Sequence, residues 1–100
     1  MLLLAQLASG CQSNPAGTPA VHFIEIKEMK FQPEMLVIKP GDSVVWNNQD
    51  IVDHDITVGE GKQWTSGRIH YGNSWGKTIR QSSDYHCFLH QVMKGKIVVK

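Results

Sequence analysis

Apolar and polar residues alternate in short stretches along most of the chain. The runs VHFIEI (21–26), MLVIKPGD (35–42), SVVWNN (43–48), DITVGEG (55–61), KTIRQ (77–81), YHCFL (85–89) and KIVVK (96–100) carry the two-residue period or the β-branched content of strands. No segment sustains a helical period. Pro40-Gly41-Asp42 and Gly59-Glu60-Gly61 are turn signals between such runs. Close-spaced strands without intervening helices predict an antiparallel all-β sandwich or barrel rather than a parallel sheet. Residues 62–76 (KQWTSGRIHYGNSWG) read as an irregular, Gly-rich connection.

Alternation also assigns faces. His54, Ile56 and Val58 fall on one side of their strand, with Asp53, Asp55 and Thr57 on the other, so His54 points inward with the apolar set. Tyr85 and Cys87 share a face, which turns Asp84 and His86 the opposite way. Trp46 alternates with Val44 and is expected in the core, and Met29 and Met35 read as core filling. His22 and His70 join no motif and are expected at the surface, while Trp64 and Trp75 fit no pattern.

A chain of 100 residues with 41% hydrophobic content suits one small domain, and its net charge of +1 gives no general case for a nucleic-acid partner. The charge is unevenly placed: residues 1–60 hold three Lys/Arg against eight Asp/Glu, and residues 61–100 hold seven against one. Interleaved strands would mix the two halves, so no dipole follows. The start, MLLLAQLASGC (1–11), is apolar, uncharged and too short to span a bilayer, as in the core of an export signal. Its end, Leu7-Ala8-Ser9-Gly10-Cys11, resembles a bacterial lipoprotein processing site, with Cys11 as the lipidated residue. Residues 12–20 (QSNPAGTPA) have the composition of a flexible tether, and the folded domain is expected over 21–100. A Cys11–Cys87 disulfide would tie this tail to a strand end and is not expected.

The chemistry concentrates near the C-terminus. In DYHCFLHQVMKGKIVVK (84–100), Cys87, His90 and Met93 stand at three-residue intervals, so a short loop leaving a strand could turn thiolate, imidazole and thioether toward one point. Any one of them alone would pass for a packing residue. Together, the soft sulfur donors favour copper, and two His, one Cys and a weak axial Met make a blue-copper electron-transfer site. Zinc would favour another Cys, His or carboxylate in place of Met. The second histidine must come from elsewhere, and His54 is the best placed.

At these residues the chain resembles the cupredoxins, most closely the amicyanin, pseudoazurin and plastocyanin group. The matching stretches are FQPEMLVIKPGDSVVWNN, VDHDITV and YHCFLHQVMKGKIVV, and the resemblance spans residues 21–100. It implies a Greek-key β-sandwich of antiparallel and mixed strands, holding one copper ion that cycles between Cu(I) and Cu(II). Its metal ligands would be His54, Cys87, His90 and Met93. The function implied is one-electron transfer between larger redox proteins outside the cytoplasm, in the periplasm or cell envelope, by a carrier that is not an enzyme. Transient redox partners would dock near Phe88, Leu89, His90 and Val92, and the expected form is a monomer, tethered to a membrane if Cys11 is lipidated. The alternative is a copper-binding or copper-delivery module without an electron-transfer role. Two positions depart from the family: Asp55 stands where Asn is usual, and Leu89 where a Pro often precedes the second His.

Overall fold

A computed structural model describes residues 17–60 and 63–100, in which nine strands form two mixed sheets. The strands are β1 (Val21–Lys27), β2 (Lys30–Gln32), β3 (Met35–Ile38), β4 (Ser43–Asn48), β5 (Thr57–Val58), β6 (Trp64–Thr65), β7 (Ser74–Thr78), β8 (Ser83–His86) and β9 (Lys94–Val99). One sheet runs β2-β1-β4-β7 and the other β3-β9-β8-β5-β6. Pairing is antiparallel except for β1 with β4 and β3 with β9, which are parallel. The mixed sandwich that the resemblance implies is therefore present, whereas the purely antiparallel pairing expected from the strand pattern is corrected by the two parallel pairs. The segments 1–16 and 61–62, including Cys11, lie outside the described residues.

Alternation decides which residues face the core. On β1, Ile24 and Ile26 point inward, and on the neighbouring β4 so do Val44, Trp46 and Asn48. The second sheet supplies Ile38, Ile56, Val58, Tyr85, Cys87 and Ile97. Each fully buried Ile, Val or Trp contributes roughly 1.5–3 kcal/mol through area removed from water. Tyr85 lies directly across from Gly95 on β9, and its ring covers the glycine so closely that a Cβ there would overlap it.

Trp64 and Trp75, which no pattern placed, sit on the edge strands β6 and β7 of opposite sheets. Their rings stack at 5.9 Å and both pack on Trp46, so they close the open side of the sandwich. Lys77 lies 5.2 Å over the Trp64 ring, covering its outer face.

Several expectations need correction. Met29 and Met35 are not core: Met29 occupies the β1–β2 turn and Met35 the outer face of β3, and both are exposed. An uninterrupted apolar run such as MLVI has no alternation to show which residues face out. The stretch 62–76 contains β6 and the start of β7, and the strand expected at 77–81 instead ends at Thr78. Asp55 and Thr57, expected on an outward face, are buried, because the Cys87–Phe88 segment covers that side. His22 is only partly exposed and pairs with Asp42 at 2.9 Å. His70 is exposed as expected and meets Asp53 at 2.8 Å.

Candidate metal centre

Two segments of the sandwich converge at one end. Strand β8 stops at His86 and β9 starts at Lys94, with His86 opposite Lys94, so residues 87–93 form the connection of a hairpin. Within it the backbone turns twice: the His90 N–H donates to the Cys87 carbonyl at 3.2 Å, and the Met93 N–H to the His90 carbonyl at 2.9 Å. A third bond, from the Cys87 N–H to the Met93 carbonyl at 3.1 Å, closes the loop on itself. Two consecutive four-residue turns that share His90 are the physical meaning of the C-x2-H-x2-M spacing.

His54 reaches the same place from the other side. The Asn48 side chain, at the end of β4, donates to the carbonyls of Val52 and Ile69 and accepts from the Asp50 N–H, which shapes residues 49–53. His54 itself is bridged through its backbone to Ile69 and is completely buried. Its Nδ1 lies 3.7 Å from Cys87 Sγ, and His90 Nδ1 lies 3.8 Å from the same sulfur. All three donor atoms fall within 4.8 Å of one another. Two donors bound to one first-row ion at roughly 2.0 and 2.3 Å, about 120° apart, would stand about 3.7 Å from each other. The separations present are those an ion between the donors requires. Met93, buried at the end of the same loop, adds the thioether that makes the set suited to copper.

The surroundings tune the sulfur. Burial pushes the Cys87 thiol pKa up, and the Asp55 N–H, 3.4 Å from the sulfur, works against that rise. A metal ion takes the thiolate, so its binding expels the thiol proton. Asp55 does what its position asks without being an amide: its Oδ1 accepts from the Phe88 N–H at 2.8 Å and from the Thr57 hydroxyl at 2.6 Å. The carboxylate thereby ties the His54 segment to the Cys87 loop by accepting alone.

His86 lies outside the cluster, as its facing predicted. Beside His90 in the loop, Phe88, Leu89 and Val92 are exposed, with Val92 88% accessible. The residue that sequence reasoning missed is Asp50. Its Oδ2 lies 2.9 Å from His54 Nε2, the ring nitrogen facing away from the sulfur. Burial works against ionisation of Asp50, but the Met29 amide, the His54 ring and the Glu28 amide together hold its carboxyl below the ordinary value.

No family model matches the chain. It is 31% identical over 106 residues to amicyanin-alpha of Methylorubrum extorquens, covering 96% of this chain and 87% of that one. It is 28% identical over 83 residues to amicyanin of Paracoccus denitrificans, covering 77% of this chain and 63% of the relative. Among solved structures, a Cu(I) form of an amicyanin mutant superposes with a TM-score of 0.71 at 26% identity, covering 80% of this chain and 82% of the other. A reduced Cu(I) amicyanin mutant at pH 4 gives a TM-score of 0.73 at 24% identity, covering 90% and 88%.

Proposed function

Because the chain belongs to the amicyanins, cupredoxins that carry electrons on one copper ion and are not enzymes, we propose that His54, Cys87, His90 and Met93 hold that ion here. The protein would then pass single electrons between larger redox proteins outside the cytoplasm. The observation that carries this reading is the pair of imidazole Nδ1 atoms set 3.7 and 3.8 Å from one buried cysteine sulfur. Bound copper supplies one-electron exchange between Cu(II) and Cu(I). This chain's own residues keep the donors in place: β8 and β9 clamp the loop, Asn48 and Ile69 fix the His54 segment, and the apolar core keeps water from Cys87.

His90 is the ligand nearest solvent, and the exposed Phe88, Leu89 and Val92 beside it offer a small apolar surface for a transient partner. Several of the nearby charges are already paired or buried. Asp50 and Asp53 are engaged by histidines, Asp55 is buried, and Lys96 faces Asp84 at 3.5 Å. The leader-like residues 1–11, with Cys11 as a lipid attachment point and residues 12–20 as a tether, support a place in the periplasm or cell envelope. Burial of Cys87 and His54 disfavours the copper-delivery alternative, which calls for ligands a partner can reach.

Adding Cu(II) to the purified protein is expected to give an intense thiolate-to-copper absorption band and a small parallel hyperfine splitting in electron paramagnetic resonance. Cys87→Ser should abolish the band, and Cys11→Ser should leave it intact. A colourless protein, or an ordinary tetragonal Cu(II) spectrum, overturns the reading.

A further inference from the structure

The geometry points to Asp50 as the positioning residue of the metal site, a carboxylate that fixes the ring orientation and tautomer of His54 and is itself anchored by the β1–β2 turn. This rests on the reading of His54 as a ligand through Nδ1. An ionised carboxylate can only accept, so the Asp50 Oδ2 at 2.9 Å places the ring hydrogen on Nε2 and leaves the Nδ1 lone pair facing Cys87. Carboxylate–histidine–metal relays of this kind orient a ligand and raise its basicity.

What distinguishes Asp50 from an incidental neighbour is how it is held. The Glu28 N–H donates to its Oδ1 at 2.8 Å and the Met29 N–H to its Oδ2 at 3.0 Å. Both donors are non-glycine residues with left-handed backbones, φ 56° and 59°. That conformation is unfavourable for side-chain-bearing residues. In return it aims two successive amides at one carboxylate. The Asp50 N–H is fixed in turn by Asn48 Oδ1 at 2.9 Å. The turn after β1 and the loop after β4 are neighbours because these two strands pair in parallel, with Ile26 beside Asn48. Through this register, a turn at the molecular surface sets the angle of a completely buried imidazole.

A merely structural Asp50 would cap the turn and leave the metal unaffected, so the test reads both. Asp50→Asn and Asp50→Ala would be compared with wild type and with Asp50→Glu, which keeps the carboxylate, each loaded with Cu(II). Loss of the carboxylate charge in the Asn variant, and of the acceptor itself in the Ala variant, should weaken Cu(II) binding relative to Cu(I), by about 10–100-fold where the acceptor is gone. The reduction potential should rise by about 59 mV for each tenfold, with a changed hyperfine splitting and partial rescue by Asp50→Glu. If wild type is blue and the folded Asn and Ala variants match its potential and spectrum, Asp50 is a turn cap and the inference fails alone. If wild type is not blue, the ligand reading fails. Nitrogen-15 NMR of the metal-free protein still decides the relay: His54 should be held as the Nε2–H tautomer in wild type and lose that preference in Asp50→Ala. A mixture of tautomers in wild type would overturn it.

Discussion

The parallel pair β1 and β4 carries an imidazole–carboxylate contact at each end, and the two have the same local chemistry. At one end His22 Nε2 meets Asp42 at 2.9 Å, and Asp42 also accepts the amides of Ala20 at 2.9 Å and Lys39 at 3.1 Å. At the other end His54 Nε2 meets Asp50 at 2.9 Å, and Asp50 also accepts the amides of Glu28 and Met29. Burial is distributed oppositely. The His22 side chain is 27% exposed beside a 7% exposed Asp42, whereas His54 is fully buried beside a 15% exposed Asp50. In the first pair the carboxylate is the centre and the ring is one donor to it. In the second the carboxylate serves the ring, whose other nitrogen faces Cys87. The same hydrogen bond fastens the start of β1 or aims a ring nitrogen at a sulfur, according to what the second ring nitrogen sees.

The largest effect should come from the core, where one change lowers stability and disturbs the copper band together. Gly95→Ala would force the Tyr85 ring off β9, since no space remains for a Cβ. Overpacking of this kind costs about 1–3 kcal/mol, and here the obstacle is a buried ring, so about 3 kcal/mol is expected in urea unfolding. Tyr85 is two residues before Cys87 on one continuous segment, so the copper band should shift as well. Unchanged stability would mean that the Tyr85 ring does not rest on Gly95.

A smaller effect, confined to one end, should follow from Asp42→Asn: lower stability with an unchanged copper spectrum, the reverse of the pattern expected at Asp50. The pH dependence sharpens this. The Ala20 amide, followed by the His22 ring and the Lys39 amide, lowers the Asp42 pKa from 3.8 to about 2. Its unfolded value is the higher one, so its contribution is fully present above about pH 4 and is lost as pH falls toward about 2. The wild-type denaturant midpoint should drop through that window, and Asp42→Asn should flatten the drop. Equal slopes for the two proteins would sink the assignment.

These two ends were not equally legible beforehand. VHFIEI and SVVWNN announce β1 and β4 because six residues of alternation with one face buried leave little freedom. The proposed loop ligands were legible because three-residue spacing is a local property. His54 was placed by facing, and the inward direction holds. The outward assignment of Asp55 and Thr57 failed because alternation describes one strand and says nothing of a loop folded over its other side. Strands of two or three residues, such as β2 and β6, carry too little pattern to be seen. Asp50 was invisible as an anchor because its donors, Glu28 and Met29, meet it only through the parallel register of β1 on β4.

The third carboxylate, Asp55, offers the finest distinction, because it sits at the metal end yet touches the sulfur side rather than a ring nitrogen. Its Oδ1 is occupied by the Phe88 amide and the Thr57 hydroxyl, and its Oδ2 lies 3.9 Å from Cys87 Sγ. Asp55→Asn can keep the Oδ1 bonds, so the tie between the two ligand segments and the folding stability should change little. What changes is the group facing the sulfur: a negative charge that favours Cu(II) is replaced by an N–H that can donate to the thiolate. Both effects favour Cu(I), so the reduction potential should rise by some tens of millivolts, less than one tenfold change in relative affinity, about 59 mV. The change at Asp50 should alter the imidazole and the hyperfine splitting, whereas this one should alter the thiolate and the energy of its absorption band. An unchanged or lower potential by voltammetry would show that the tie to Phe88, and not the charge, is what Asp55 contributes to the site.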